Sequence, residues 1–269
     1  MTIRPSKGWL GLDLAELWRY RELIYFLTWR DIKVRYKQAT LGIAWAVLQP
    51  LMNTLITTLI FGVLLKVDTG GQPYPVFVLS ALLPWTLFQS SLQKSSVSLV
   101  NNANLITKIY FPRIIIPITS VLAVLVDFAI SLVMLLIAMA IYRVPITVNI
   151  LWLIPLTLLT VAAALAVGLW LSALNVQYRD VQHMVPFLLE MWKYASPVVY
   201  PITLVPEGWM RQLYSLNPMV GVIQGFRWAL FGGEPPDMTL LISAAAVIVL
   251  LISGLFFFRR MEKTFADVV

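Results

Sequence analysis

The 269-residue chain contains no cysteine and a single histidine, His183. Without cysteine there is no disulfide, no thiol nucleophile and no thiolate ligand. A zinc site of the usual composition needs several histidine or cysteine ligands, so we expect no metal to bind this chain. His183 follows Arg179 and Asp180 at a predicted membrane edge, and this position favours a side chain on the surface.

Charged residues are also scarce. They make up 12% of the chain, and hydrophobic residues make up 59%, whereas soluble domains average about 25% charged and about 45–50% apolar residues. The net charge is +7, but the basic residues stand between apolar runs, where they orient helices and meet anionic lipid. We therefore predict a protein embedded in membrane lipid, with no nucleic-acid partner.

Six apolar segments are long enough to suggest transmembrane helices, each of which needs about 20 residues. Open strand edges are excluded from lipid, and continuous apolar runs do not fit a β-barrel, so we expect helices. The sequence predicts an all-α membrane protein of one domain, residues 1–269, with a cytoplasmic amphipathic segment at 1–42. The predicted spans cover about residues 43–65, 74–93, 117–142, 150–175, 184–200 and 238–258.

Lysine and arginine concentrate before the first predicted span, in alternate loops after it and in the C-terminal tail. Because cytoplasmic loops carry the excess of basic residues, this distribution predicts that both termini lie in the cytoplasm. An even number of spans agrees with that orientation. We expect a multi-pass protein of the bacterial inner membrane.

The segment before the first span predicts a helix that lies flat on the membrane. Tyr25, Trp29, Ile32 and Tyr36 recur at helical spacing and would share one face. Such a helix is either a plain lipid anchor or a docking helix for a cytoplasmic partner. Asp31 favours docking, because a pure lipid anchor has no use for a carboxylate.

The cytoplasmic loop after the second span contains a run of polar residues. Asn104 suits the N-cap of a short helix that begins at Leu105, and Pro112 would end that helix. We predict either a short helix that a partner pushes or an ordinary turn. The loop residues that we single out are Asn101, Asn104, Lys108 and Arg113.

The external segment from about residue 201 to 237 is too long and too apolar for a solvated loop. Pro206 and Glu207 suit a helix start, and Asn217 followed by Pro218 is typical of an N-cap with proline at the first helical position. The glycine pair at 232–233 predicts a stop. We expect two short re-entrant helices that dip into the outer leaflet.

Three charged residues fall within predicted spans, where charge is costly and usually faces protein or water. Glu190 and Lys193 are three residues apart, so they can pair, either structurally or within a polar stripe that faces a conduit. Asp127 is either protonated or hydrogen-bonded to a neighbouring helix. With no histidine chain beside them, these groups make a weak proton relay.

Aromatic residues are frequent at the span ends, and interfacial belts explain most of them. A minority could line a conduit, because aromatic walls suit the apolar C–H faces of sugar rings. The residues that we single out for a conduit or gate are Trp85, Phe88, Glu190, Lys193, Tyr194, Tyr200, Trp209, Tyr214 and Asn217.

Six motifs in order along the chain resemble the permeases of polysaccharide and polyol-phosphate exporters, which belong to the type-2 class of ATP-binding-cassette transporters. The first is "WRDIKVRYKQATLGIAWAVLQP" at 29–50, and the others span nearly all of the remaining chain. They are "FPRIIIP" at 111–117, "NVQYRDV" at 175–181, "SPVVYP" at 196–201, "LNPM" at 216–219 and "FAD" at 265–267.

The resemblance implies a homodimer joined to two copies of a separate ATPase subunit, which would hold ATP and magnesium; this chain would bind no cofactor. The residues Trp29, Arg30, Asp31, Arg35 and Tyr36 would dock on the ATPase, and the loop from Asn101 to Arg113 would relay its movement. The segment from Pro206 to Gly232 would gate the outer end. The expected cargo is a lipid-linked polysaccharide: O-antigen, capsular polysaccharide or a teichoic-acid-like polymer.

Three alternatives remain open at this point: a type-2 permease for a drug or small lipid, a proton-driven carrier, and a membrane-embedded glycosyl or phosphoryl transferase. The sequence has no G-x-x-x-x-G-K-[ST] motif, so it lacks a nucleotide-binding loop of that type. It has no nucleophile motif or clustered carboxylates on a loop. We therefore predict a transport subunit with no catalytic residue.

Overall fold

A computed structural model describes residues 14–37, 42–236, 238–262 and 265, and this part of the chain is helical, with no β-strand. The α-helices are α1 Leu14–Arg19, α2 Arg21–Lys37, α3 Gly42–Thr57, α4 Tyr74–Asn101, α5 Ala103–Lys108, α6 Ile115–Ile141, α7 Leu153–Gln177, α8 Val181–Tyr194, α9 Trp209–Tyr214, α10 Pro218–Phe231 and α11 Met238–Glu262. A π-helix, Thr58–Leu64, continues α3, and short 3-10 helices cover Val148–Trp152 and Ile202–Leu204.

Within the described ranges, five helical stretches are long and apolar enough to cross a membrane, judged by length and composition. They are Ala44–Leu64, Tyr74–Asn101, Ile115–Ile141, Val148–Gln177 and Met238–Glu262. The second of these passes through Lys94 to Asn101, beyond the predicted end at residue 93, because one lysine does not interrupt a helical backbone. The all-helical prediction and the membrane character are confirmed.

The predicted fifth span, 184–200, has a different form. The helix there, α8, has 14 residues and ends at Tyr194, which makes it about 21 Å long, shorter than the roughly 30 Å hydrocarbon core. Pro197 explains the early end, since it has no N–H to donate and it disfavours helical geometry at Ser196. The apolar run continues to residue 200, beyond the end of the helix, which is why the predicted span is too long. The count of six spans stays a prediction.

Helix α4 is the centre of the bundle and packs against α6, α7, α8 and α10. Its side chains Val76, Val78, Trp85 and Phe88 have no exposed surface. By contrast, Thr54 is the one buried residue among the described side chains of α3. The protomer therefore has a well-packed core around α4 and leaves α3 largely uncovered.

Close helix contacts depend on small residues. A Cβ on Gly254 of α11 would lie 2.6 Å from the backbone oxygen of Ala166 on α7, and a Cβ on Gly221 of α10 would lie 2.6 Å from the side chain of Ser243 on α11. Glycine at these two positions lets the helix axes approach, as in other tightly packed membrane helices. These contacts fix α10 and α7 on opposite parts of α11.

A second apolar cluster gathers distant parts of the chain at one end of the bundle. Its buried members come from α2, α5, the start of α6, the ends of α4, α7 and α11, and residues between or after these helices. They include Leu27, Leu99, Ile106, Phe111, Phe258 and Phe265. Helix α2 packs along α6 with Leu27 inward. Tyr25 and Trp29 of the predicted aromatic stripe are 62% and 45% exposed, so these two rings face away from the bundle.

Candidate functional site

Helix α2 is joined to the bundle by polar side chains, which we call the α2 cluster: Arg30, Asp31, Arg35, Tyr36, Asn102 and Asp127. Nη2 of Arg30 donates to Asp31 Oδ1 at 2.8 Å and to Asn102 Oδ1 at 2.9 Å. Asn102 lies between α4 and α5, and its Nδ2 donates to the carbonyl of Ser98 at 2.8 Å. Arg30 therefore connects α2 to the junction of α4 and α5.

Asp127, in the middle of α6, receives the other two contacts of this cluster. The Arg35 guanidinium forms an ion pair with the Asp127 carboxylate, and the Tyr36 hydroxyl donates a hydrogen bond to it. Burial first, and then the hydrogen bond to the Asp127 carboxylate, raise the pKa of the Tyr36 phenol to about 12. Of the two roles left open for Asp127, the structure has the hydrogen bond to a neighbouring helix.

Four of the five predicted docking residues are engaged in two groups, and Trp29 stands apart. Arg35 and Tyr36 contact Asp127, and Arg30 contacts both Asp31 and Asn102. Trp29 is 45% exposed, with the Lys33 ammonium 5.4 Å from its ring centroid. The free surface of α2 therefore carries the exposed rings of Tyr25, Phe26 and Trp29 beside exposed charged side chains.

The predicted coupling loop does contain a short helix, but its bounds differ from the prediction. Helix α5 begins at Ala103, and Asn102 precedes it, so Asn104 lies inside the helix and does not cap it. The helix ends at Lys108, four residues before Pro112, because Ile109 adopts an extended backbone. Asn101, Asn104 and Lys108 are exposed, as is Tyr110 at 81%.

Arg113 has a different environment from the rest of that loop. Its backbone N–H donates to Glu262 Oε1 at 3.1 Å, and its guanidinium donates to the Glu262 backbone carbonyl. The guanidinium also lies 6.0 Å from the ring centroid of Phe265. Arg113 therefore connects the loop to the end of α11, a link that sequence spacing gave no signal for.

At the opposite part of the bundle, residues 195–236 form a compact segment that we call the cap. Asn217 is its main polar junction: Oδ1 accepts from Trp192 Nε1 at 2.9 Å and from the backbone N–H of Met219 at 3.0 Å. Its Nδ2 donates to the Ala195 carbonyl at 3.1 Å and to Ser196 Oγ at 2.9 Å. The predicted N-cap with Pro218 in the first helical turn is confirmed.

The predicted stop at the end of this helix is confirmed as well, since α10 ends at Phe231 and Gly232 and Gly233 follow with φ of 76° and 87°. The predicted start of the preceding helix is displaced. Helix α9 begins at Trp209 after Gly208, whose φ is 94°, and Trp209 is 68% exposed. Glycine readily adopts this non-helical backbone conformation, so the helix starts after Gly208 and not at Pro206.

Arg227 on α10 is the cap residue that sequence reasoning missed. Its Nη1 donates to the Tyr200 carbonyl at 3.2 Å and its Nη2 to the Val198 carbonyl at 3.1 Å. The guanidinium lies 3.8 Å from the ring centroid of Phe77, and the residue is 6% exposed. A lone arginine in an external segment is typical of a solvated side chain, so no local signal indicated this buried position.

The predicted conduit residues lie in two environments. Trp85 and Phe88 are completely buried, and Phe88 meets Trp192 edge to face at 5.1 Å, so in this protomer they contact protein. Glu190 and Lys193 form the predicted pair at 2.7 Å, with half of the Glu190 side chain exposed.

Three tyrosines connect the end of α8 to α9. The Tyr200 hydroxyl donates to the Tyr194 carbonyl at 3.0 Å and shares a hydrogen bond of 2.9 Å with the Tyr214 hydroxyl. The ring of Tyr194 is 58% exposed. The α8 surface that holds Glu190 and Tyr194 is thus free in the protomer, whereas Tyr200 and Tyr214 hold the cap together.

Comparison with known proteins gives one family and a consistent set of relatives. Residues 22–231 match the ABC-2 type transporter family. The chain is 34% identical over 231 residues to an O-antigen export system permease protein, RfbA, of Myxococcus xanthus, covering 85% of this chain and 88% of the relative. It is 29% identical over 249 residues to RfbA of Klebsiella pneumoniae, covering 92% and 95%.

A relative with a different named cargo matches over a shorter range. The polysialic acid transport protein KpsM of Escherichia coli is 29% identical over 210 residues, which cover 76% of this chain and 79% of the relative. The family match at residues 22–231 extends over helices α2 to α10 and includes the α2 cluster and most of the cap.

Proposed function

Because the chain belongs to the ABC-2 type transporter family, we propose that it is the permease subunit of an ATP-driven exporter that moves a lipid-linked polysaccharide outward across the bacterial inner membrane. The observation that carries this proposal is the similarity over most of the chain to permeases named for O-antigen export and polysialic acid transport. The cargo is O-antigen, capsular polysaccharide or a teichoic-acid-like polymer.

The driving force comes from a partner. The sequence lacks a nucleotide-binding loop of the G-x-x-x-x-G-K-[ST] type, so ATP and magnesium belong on a separate ATPase subunit. The assembly is a homodimer of this chain with two ATPase copies. The largely uncovered helix α3 and the free surface of α8 support a second copy, because polar groups such as Glu190 are costly when they face lipid.

The ATPase docks at the end of the bundle that holds α2 and α5. The exposed aromatic face of α2, the exposed α5 residues and Tyr110 lie at the same end, above the apolar cluster around Leu99 and Phe111. Movement of the partner passes from α2 to α6 through Asp127 and from α5 to α4 through Asn102. Both termini lie on this cytoplasmic side.

The cap lies at the outer side. Its two helices α9 and α10 have 6 and 14 residues, too short to cross a bilayer, and they re-enter the outer leaflet and gate the exit. Asn217, Arg227 and Tyr200 support this role, because they satisfy backbone groups that lipid could not.

Deletion of the chain followed by glycan analysis tests the function. We expect a finished lipid-linked polymer to accumulate inside the cell and to disappear from the surface. A permease for a drug or small lipid would leave surface and internal glycans unchanged, and that result would refute the polysaccharide assignment. Complementation with the intact chain controls for effects on neighbouring genes.

Docking is tested by Trp29→Ala, which removes an exposed ring and leaves the α2 cluster intact. We expect reduced recovery of the ATPase with the purified permease and a parallel loss of export. The matched control is Tyr142→Ala at the far end of α6, where an aromatic ring is 47% exposed. Equal ATPase recovery for both variants would place the docking surface elsewhere.

A further inference from the structure

A cleft of about 450 Å³ opens beside the cap, between the loop that precedes α4, helix α10 and the start of α11. Its walls include Thr69, Gln72, Arg211, Gln224, Arg227 and Trp228. The volume falls in the range of about 300–1,000 Å³ that is typical of small-molecule sites. None of the roles proposed above uses this cleft.

Arg227 places a buried positive charge at the cleft. It is 6% exposed, and its two terminal nitrogens donate to main-chain carbonyls. Its Nε has no hydrogen-bond partner, and no carboxylate of the described residues lies within ion-pair distance. Buried charges are usually paired with an opposite charge, because desolvation of an unpaired ion is costly.

Two further donors without partners occur in the walls of the same cleft. They are Nε of Arg211 and Nε2 of Gln224, both buried. The other nitrogens of Arg211 contact the Val205 carbonyl at 3.1 Å and Glu207 at 3.3 Å, but the Glu207 side chain is 86% exposed, so it compensates little of the charge. More than about 90% of buried polar groups are paired in folded proteins, so three unpaired donors in the walls of one cleft are unusual. Because the three atoms are buried, an acceptor in the cleft reaches them only when these side chains turn toward it.

The remaining walls favour a particular kind of acceptor. Thr69, Gln72 and Thr239 supply hydroxyl and amide groups, and Trp228 and Phe231 supply aromatic rings. Sugar hydroxyls pair with the former and the C–H faces of a sugar ring stack on the latter, whereas an acyl chain would leave the polar walls unpaired. Glu234 at the rim is exposed and is outnumbered by the two guanidinium groups.

We propose that this cleft binds a saccharide unit that carries an oxyanion, either a carboxylate or a phosphate ester. The oxyanion lies at the side of the cleft formed by Arg211, Gln224 and Arg227, where Arg211 and Gln224 turn to donate hydrogen bonds to it, and the ring lies against Trp228. This inference rests on the proposed function for its biological meaning, as an outer site for an acidic unit of the emerging polymer. Binding itself requires neither ATP nor transport.

The test is calorimetric titration of the purified permease–ATPase complex with glucose 1-phosphate, glucuronate and glucose. We expect the two anionic sugars to bind at least tenfold more tightly than glucose, because charge-assisted hydrogen bonds are about twice as strong as neutral ones. Arg211→Gln should weaken binding of glucose 1-phosphate about tenfold, and Gln224→Leu should weaken it several-fold. Arg227 is left unchanged because it also holds the cap together.

The matched control is Arg143→Gln, which removes the same charge from an exposed turn outside the cleft and should leave the affinity unchanged. Gln224→Leu, which removes no charge, keeps the proposal testable if Arg211→Gln fails to fold. Equal affinities for glucose and glucose 1-phosphate would overturn the oxyanion assignment. So would an equal loss in Arg143→Gln, which would show non-specific charge attraction.

A membrane lipid headgroup shares the phosphate chemistry, so the titration is repeated in nanodiscs of phosphatidylcholine with and without phosphatidylglycerol. If phosphatidylglycerol displaces glucose 1-phosphate and Arg211→Gln abolishes retention of this lipid, the occupant is a headgroup and the saccharide proposal is wrong. Failure of the proposed function has a separate signature: no polymer accumulates in the deletion strain, while the titrations stay as expected.

Discussion

The α2 cluster and the cap both join distant parts of the chain with polar side chains, but they do so differently. In the α2 cluster the contacts are between side chains at the surface: the side chains of Arg35 and Asp127 are 40% and 18% exposed. In the cap, buried side chains reach main-chain carbonyls, as Arg227 does at Val198 and Tyr200. The contacts of the first kind are partly exposed, whereas those of the second are buried, since Arg227 is 6% exposed.

This difference suggests a division between a part that moves and a part that holds its shape. Contacts between partly exposed side chains open at a lower free-energy cost than buried ones, which suits a helix that transmits a partner's movement. Buried donors to main-chain carbonyls open only with the loss of several hydrogen bonds at once. We therefore expect substitutions in the cap to reduce stability and substitutions in the α2 cluster to reduce export.

The largest loss of stability should follow Arg227→Met. The variant keeps most of the side-chain volume but leaves two buried carbonyls without donors and removes the cation from the Phe77 ring, at a cost of about 2–4 kcal/mol. Thermal unfolding in detergent should show a clear fall in Tm. Arg227→Lys, which keeps the charge and one donor group, should fall between wild type and Arg227→Met; an unchanged Tm for the methionine variant would contradict a structural role.

A smaller loss should follow Asn217→Ala. This change removes the N-cap of α10 and the links to Trp192, Ala195 and Ser196, with an expected cost of about 2 kcal/mol. Asn217→Asp is the matched control, because it keeps the acceptor oxygen and loses the two donations from Nδ2. If the aspartate variant were as unstable as the alanine variant, the cap interaction at Met219 would contribute little.

Asp127→Asn should separate stability from export. The amide keeps an acceptor for the Tyr36 hydroxyl but loses the charge that pairs with Arg35, and because that pair is partly exposed the expected cost in stability is about 1 kcal/mol or less. Export should fall several-fold while ATPase recovery stays normal. The double variant that exchanges the two residues, Arg35→Asp with Asp127→Arg, should export more than either of these single variants. If the Tm of Asp127→Asn falls as far as that of Asn217→Ala, Asp127 is a structural residue like those of the cap.

Local signals in the sequence were enough for the ends of α10. Asn217 with Pro218, and the glycine pair at 232–233, act through the backbone conformation of adjacent residues, so spacing alone locates them. Hydropathy likewise located the long helices. The end of α8 was missed because hydropathy continued to residue 200 while Pro197 stopped the helix.

Contacts between distant residues could not be read from spacing. Arg35 and Asp127 are 92 positions apart, and each alone fits several roles, so the docking residues were assigned without their partner in α6. Arg227 donates to carbonyls 27 and 29 positions away. Every residue has a main-chain carbonyl, so the residue types at those positions do not indicate the contact. The α2 cluster and the cap therefore differ also in what a sequence can reveal. The helix ends of the cap depend on adjacent residues and can be predicted, whereas the contacts of Arg227 and of the α2 cluster join distant residues and cannot.

The smallest change in stability should follow Glu190→Gln, although this residue pairs with Lys193 at 2.7 Å. Half of the Glu190 side chain is exposed, and such pairs contribute about 0–1 kcal/mol, so Tm should hardly move. If α8 forms part of a polar conduit between two copies of this chain, export should still fall, because the charge would be lost where the polymer passes. The matched control is Glu207→Gln in the cap. Glu207 also pairs with a basic residue at helical spacing, Arg211, and its side chain is 86% exposed. Export that stays normal in both variants would assign the Glu190 pair a purely structural role and would leave the conduit to other residues.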